Sequence, residues 1–308
     1  MSNISEESFF EEDSLWFFAI TSVENVMAIL INLLVVCVYA ASKDLKSSTS
    51  NTMFASLAFV DMSTSLCFLF KITLQPRIVP PNGLFGELYC RLIYSTYLMW
   101  GCISSSWFHI ILITFDRYIA VVYPYNYKQF SEKKTTHSFL IIAAYVLGFA
   151  SMNLNILVAK ASTKNACIYL LPTWSYTLKF ICLVFYSTYM IFVTLSIIIM
   201  YLVIVTKTLL ASRNRTRKVA QKRVTLLCIA IVGEFLTFSC PSTIYFFFYM
   251  VQLVLDLDWS FSFNSSFYAF TIQLVNASSI LNPVIYITCC SAFQISFKQL
   301  FLSIKQGN

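Results

Sequence analysis

The sequence predicts an all-α membrane protein: a bundle of seven membrane-spanning helices followed by a short amphipathic eighth helix. Three observations predict it. The first is composition. Of 308 residues, 58% are apolar and only 11% charged, where a soluble domain carries roughly a quarter charged. So few charges cannot cover a water-soluble protein of this size, and the mean hydropathy is +0.72. The same figures exclude a disordered chain, and with 6 Gly and 7 Pro a collagen is excluded too. The second is the presence of seven apolar stretches. A hydrocarbon core of about 30 Å takes about 20 helical residues. The stretches that qualify are Leu15–Ala41, Met53–Leu74, Leu92–Val122, Phe139–Ala159, Tyr176–Val205, Val224–Leu255 and Phe267–Cys289. The third is the distribution of positive charge between the gaps.

Lys and Arg set orientation, because they concentrate on the cytoplasmic side. With the N-terminus outside, fifteen of the 21 fall inside: Lys43, Lys46, Arg117, Lys128, Lys133, Lys134, the run Lys207, Arg213, Arg215, Arg217, Lys218, Lys222 and Arg223, then Lys298 and Lys305. The formal charge of +7 is therefore an orientation signal and not a nucleic-acid footprint. Residues 1–14 are expected to form an acidic extracellular tail, 15–290 the seven-helix domain, and 291–308 an amphipathic membrane-surface helix with the C-terminus. No basic n-region or cleavage site is present, so the first span is expected to act as its own insertion signal. In the last segment Phe293, Phe297, Leu300, Phe301 and Ile304 share one face, which suits the inner leaflet. Asn3 and Asn264 head glycosylation triplets on the outer side.

Ten cysteines sort by depth. Six lie inside spans and read as small core residues. Cys289 and Cys290 lie at the inner end of span seven, within reach of palmitoylation. Cys90 and Cys167 alone sit in outer, oxidising territory. A disulfide between them would staple the second outer loop to the top of span three.

Polar groups at lipid depth are the informative ones, since an intramembrane charge is costly unless it faces the bundle interior. At 1.5 Å per residue, Asn32, Asp61, Ser106 and Asn282 fall near one mid-membrane level. They make either a watery hydrogen-bond network or a site for a small hard cation. Asp116-Arg117-Tyr118 ends span three at the inner face, where the acid can pair with the guanidinium. Pro283 and Pro241 each remove a backbone donor from a span and mark hinges; Asn282 is placed to satisfy the carbonyl freed in span seven. Glu234, deep in span six, is either a proton-linked switch or a partner for a backbone carbonyl.

These residues resemble a family. Asn32 in span one, Leu57-Ala58-Phe59-Val60-Asp61 in span two, Cys90 with Cys167, Asp116-Arg117-Tyr118-Ile119-Ala120-Val121 followed by Pro124, Tyr201, Phe235 with Pro241, and Asn282-Pro283-Val284-Ile285-Tyr286 followed by Phe293 are similar to the motifs of rhodopsin-like (class A) G-protein-coupled receptors. The resemblance spans all seven helices. It implies a plasma-membrane receptor and not an enzyme, with a heterotrimeric G protein and an extracellular ligand as partners. It implies an activation switch built from Asp116, Arg117, Tyr118, Tyr201, Phe235, Pro241, Asn282, Pro283 and Tyr286. It implies no cofactor beyond an allosteric sodium ion held by Asp61, Ser106, Ser279 and Asn282. The ligand pocket, by helical phase and by analogy, takes in Met99, Ile103, Tyr245, Ile272 and Asn276, with Lys71 in outer span two able to face an anionic ligand.

Several positions depart from the family pattern. Tyr145 stands where span four usually has Trp, Val193 where span five usually has Pro, and Ser239 where span six usually has an aromatic toggle. Gln221 replaces an acid at the foot of span six, which predicts raised basal activity. Cys90 to Arg117 is two residues longer than usual. Met99 stands where aminergic receptors carry an acid, and Asn276 where opsins carry the retinal lysine. A small chemosensory molecule is the expected ligand, with peptide and lipid ligands as alternatives. A transporter would show related halves, and the usual enzyme motifs are absent. His109 is expected to be a hydrogen-bonded core group.

Overall fold

Apolar segments in lipid must satisfy every backbone group internally, which leaves helices as the solution. The computed structural model describes residues 15–73, 80, 83–162, 166–210, 226, 229–262 and 265–306. The long helices are α1 (Leu15–Ala41), α2 (Thr49–Thr73), α3 (Tyr97–Val122), α4 (Lys134–Ser151), α5 (Tyr176–Leu210), α6 (Ile229–Leu255) and α7 (Ser266–Cys289). An eighth, α8 (Ser291–Gln306), follows. The first six are long and apolar enough to cross a membrane by themselves. The seventh carries Asn276, Ser278, Ser279 and Asn282 and is placed by its packing against α1, α2 and α6. Together they close a ring in which α1 meets α2, α2 meets α3, α3 meets α5, α5 meets α6 and α7 returns to α1; α4 lies outside, against α3. Large apolar side chains such as Val23, Phe139 and Ile142 point outward at 60% exposure or more. A soluble monomer does not expose apolar surface on this scale; the protein is a multi-pass membrane protein.

The structure differs from the sequence-based spans at three places. Span three does not run unbroken from Leu92. Cys90–Tyr94 forms a π turn, Thr96 is left-handed (φ 63°), and α3 starts at Tyr97. A π turn holds an extra residue per turn, and together with the break at Thr96 it accommodates the long spacing between Cys90 and Arg117. Helix α4 ends at Ser151 and continues as a 3-10 turn, Asn153–Leu157. In α6 a second π turn, Phe235–Ser239, sits just below Pro241, so the proline's missing donor is absorbed by loosening the turn before it.

Outside the long helices, strands β1 (Ala159–Ala161) and β2 (Cys167–Tyr169) form an antiparallel hairpin, with Lys160 opposite Ile168. A short inner helix, Pro124–Glu132, uses its proline in the first turn, where the absent N–H costs nothing. Helix α8 does more than lie on the surface. Phe293 is 1% exposed and meets Phe54 of α2 edge-on at 6.3 Å, while Ser296 and Ser42 share a hydrogen bond of 3.1 Å. The side chains of Phe301 and Ile304, Asn3, Asn264 and Gln221 lie outside the described residues.

Candidate functional site

At the C-terminal end of α3 an acid and a guanidinium are held together. Asp116 is 1% exposed, and one of its oxygens, Oδ2, collects three donors. Ser50 Oγ of α2 donates at 2.8 Å, Tyr127 OH of the inner helix at 3.4 Å, and Arg117 Nη2 lies at 3.4 Å. Arg117 Nε is buried without a hydrogen bond. The guanidinium is thus held but not saturated, so it has donors left for another acceptor. Tyr118 packs beside it, stacked on Phe115 at 6.5 Å. Tyr201 is half-buried on α5; the side chain of Tyr286 lies outside the described residues.

Mid-membrane, the polar residues expected at one level do meet. Asp61 Oδ1 accepts from Ser106 Oγ at 2.7 Å, and Oδ2 accepts from Asn282 Nδ2 at 2.8 Å. The role expected of Asn282 at the proline kink falls to another residue. Pro283 cannot donate to Ser279 O, four residues earlier, and Asn32 Nδ2 of α1 donates there instead, at 2.8 Å. Asn282 is then free to hold Asp61. The oxygens Asn32 Oδ1 and Asn282 Oδ1 stay buried without donors, and Ser279 is buried beside them. The free Asn282 Oδ1 next to the Asp61 carboxylate and the Ser106 hydroxyl is oxygen chemistry of the kind a small hard cation takes.

Glu234 is buried, and neither carboxylate oxygen has a hydrogen bond within 3.5 Å. His109 is the core group expected: Nδ1 donates to Ser105 O at 2.7 Å, leaving Nε2 to accept from Ser56 Oγ at 2.9 Å. Tyr145 donates to Ser56 O at 3.1 Å, so the aromatic in α4 serves as a polar tie to α2.

Above this layer a cavity of about 590 Å³ opens between α3, α5, α6 and the hairpin. Its floor is Trp107, which the sequence motifs do not single out. The indole Nε1 donates to Ser239 Oγ in the π turn of α6 at 3.3 Å, and the ring meets Phe235 edge-on at 6.1 Å. Ser239 replaces the usual toggle, and an aromatic from α3 reaches across to it. The place of Trp107 next to Ser106 in the chain is the one sequence signal for it, and that signal does not reveal the partner.

The predicted ligand contacts lie elsewhere. Lys71, Met99, Ile103, Tyr245, Ile272 and Asn276 are all buried, and none lines this cavity. Tyr245 ties α6 to the third outer loop, its hydroxyl donating to Ser262 O at 2.7 Å. Asn276 has both amide atoms unpartnered. Helical phase shows that a side chain points inward; it does not show which neighbour it meets there.

The roof is the hairpin. Cys167 is bonded to Cys90 with Cα atoms 5.5 Å apart. Ala161 N donates to Glu87 Oε2 at 2.9 Å, and Arg91 Nε donates to Oε1 of the same carboxylate. These donors hold the Glu87 carboxyl below its usual range, the Ala161 amide first and Arg91 second. A depressed folded pKa gives an anchor that is complete above the ordinary value of about 4.3 and is lost as pH falls through the lower, folded value. Protection of the Ala161 amide, corrected for intrinsic exchange, should therefore be flat from neutral pH to about 5 and fall below about 4. In Glu87→Gln that pH dependence should vanish; if it persists, another group is responsible.

Comparisons with known proteins agree with this architecture. The profile of a family described as 7 transmembrane receptor (rhodopsin family) matches residues 31–286. The chain is 23% identical over 295 residues to the Allatostatin-A receptor of Bombyx mori, covering 90% of this chain and 76% of that one. It is 26% identical over 273 residues to Melanin-concentrating hormone receptor 1 of Rattus norvegicus, covering 84% and 72%. A shorter match, 35% identical over 137 residues, is to Trace amine-associated receptor 7e of Mus musculus, covering 42% of this chain and 36% of that one.

Proposed function

The chain belongs to the rhodopsin family of seven-transmembrane receptors and has G-protein-coupled receptor activity, and from that premise we propose how its residues divide the work. An extracellular ligand occupies the cavity above Trp107. Its contact with that ring shifts Phe235 and the π turn of α6, and the inner half of α6 moves outward about Pro241. Arg117 leaves Asp116, Tyr201 and Tyr286 turn in to support it, and the opened inner cleft receives a heterotrimeric G protein. A ligand shifts this equilibrium only by its differential affinity for the two arrangements. The observation that carries the reading is the unsaturated Arg117 held by a buried acid at the inner end of α3.

A sodium ion would be held by Asp61, Ser106, Ser279 and Asn282, where it would supply positive charge to a buried carboxylate. The relatives are named for different ligands, so likeness does not choose one; a small molecule suits the cavity, whereas a peptide would need the outer loops as well.

The test is Arg117→Ala, read as nucleotide exchange on a panel of α subunits. Exchange should fall about a hundredfold at unchanged surface level, the loss of a charge-assisted contact being worth about 3 kcal/mol. Unaltered exchange from a chain that reaches the surface would end the reading.

A further inference from the structure

We propose that the cavity takes an uncharged, largely apolar small molecule, and that this molecule enters and leaves through the bilayer, by a gap between α5 and α6. The proposal rests on the receptor reading above and adds the ligand's chemistry and its route.

Charge is the first argument. No Asp, Glu, Lys, Arg or His is found among the described residues that line the cavity. Its polar groups are hydroxyls, indoles and the amide of Asn155, whose Oδ1 already accepts from Tyr186 OH at 2.8 Å. An ion placed there would lose its hydration with no counter-charge to offset the loss, which costs several kcal/mol. A neutral molecule with one or two polar atoms meets no such penalty, and about 590 Å³ suits a drug-sized ligand.

The wall between α5 and α6 is the second. Ile191 and Leu195, one turn apart on α5, and Ile244 and Phe247, one turn apart on α6, all line the cavity. The same four side chains are 59%, 49%, 54% and 41% exposed. A side chain that faces both ways marks a place where the cavity reaches the outer surface. Ile191 lies fifteen residues into α5, roughly 22 Å along its axis, so that surface is at membrane depth and its solvent is lipid.

The third argument is the roof. Leu171, in the 3-10 turn after β2, is 5% exposed and packs in one cluster with Cys182 of α5 and Tyr249 and Met250 of α6. The disulfide ties the preceding strand down. The described outer face is closed over by apolar side chains, whereas the α5–α6 wall is built of side chains that line the cavity and are also exposed.

The experiment uses the full chain in lipid nanodiscs with a neutral fluorescent naphthyl ketone, 6-propionyl-2-dimethylaminonaphthalene, and its permanently charged trimethylammonium analogue. The neutral probe should bind saturably and the cation should not. In Ile244→Trp, and independently in Ile191→Trp, the enlarged ring fills the gap. Association and dissociation should then both slow about tenfold, with Kd within about threefold of the parent. Leu202→Trp, at another exposed α5 position outside the cavity, should leave both rates unchanged. Thermal melting of each variant shows whether it folds, and two gap positions guard against one that does not. Absence of saturable neutral-probe binding, equal binding of the cation, or unchanged rates in both gap variants while Trp174→Ala at the roof accelerates them would each overturn the proposal. None of these outcomes touches nucleotide exchange in Arg117→Ala, so the receptor reading is judged separately.

Discussion

Gly148→Ala is expected to lose most of its folded, surface-exposed protein and to melt well below the parent. The cause is a close approach between α3 and α4. A Cβ at Gly148 would stand 2.5 Å from both Cα and N of Ser105 and closer still to its Oγ. The hydroxyl could rotate away, but the backbone cannot, so the two helices must part. Helices in lipid associate through packing, not through apolar transfer, and small residues let their backbones approach. Overpacking of this kind costs about 1–3 kcal/mol and occasionally more; with backbone as the obstacle we expect about 3 kcal/mol. The contact also positions Ser105, which accepts the His109 proton, so the α2–α3–α4 polar tie should loosen with it. Gly101→Ala should be milder, because the atoms nearest its Cβ would belong to the Phe149 ring, a side chain that can turn aside. Gly233→Ala has nothing within 4 Å and should be neutral or up to about 1 kcal/mol stabilising, from helix propensity. Melting and surface labelling of the three variants check the order; equal melting of Gly148→Ala and parent would show that the helices are not in backbone contact there.

Cys167→Ser should release the roof. The bridge closes a separation of 77 residues, worth about 4 kcal/mol for a free chain and less here, because α3 and α4 remain inserted when the outer face opens. The local consequence is larger than the global one. A two-stranded hairpin is marginal alone, and this one has three residue pairs. Without the bridge its remaining anchors include the Glu87–Ala161 bond, the ring pair Tyr94–Tyr169 at 5.4 Å and the burial of Leu171. Amide exchange across β1, β2 and the following 3-10 turn should accelerate about a hundredfold. In Cys167→Ser the hairpin should loosen already at neutral pH, whereas in the parent only the Ala161 amide is expected to lose its anchor, and only at low pH. Unchanged exchange in Cys167→Ser would mean that the side-chain packing suffices.

Arg117 and Glu87 differ in how far their roles are legible in the sequence. The Asp116-Arg117 pair is legible, because a permanent charge at the end of a span needs a counter-charge and the neighbouring acid supplies it. The Glu87 anchor is not, since its partner Ala161 N is 74 residues away and a backbone amide leaves no mark in sequence. Among mid-membrane residues, depth alone brings Asn32, Asp61, Ser106 and Asn282 to one level. Which amide faces which carbonyl depends on where α1 and α7 touch, and so Asn32 takes the place expected of Asn282. For the same reason none of Met99, Ile103, Tyr245, Ile272 and Asn276 lines the cavity. Met99 and Ile103 point inward as their phase requires, but the helices close over them, and the void lies beside Trp107.

Composition and periodicity were enough for the spans, for the level of each polar group and for the cysteine pair, because lipid imposes one condition on every residue in turn: its backbone must be paired, and its polar groups must face inward. That condition is local in the chain and can be read residue by residue. The contact of Trp107 with Ser239, the backbone approach at Gly148 and the cavity between α3, α5 and α6 depend on distances between helices. Those distances follow from how whole surfaces mesh, and only the packed bundle decides them.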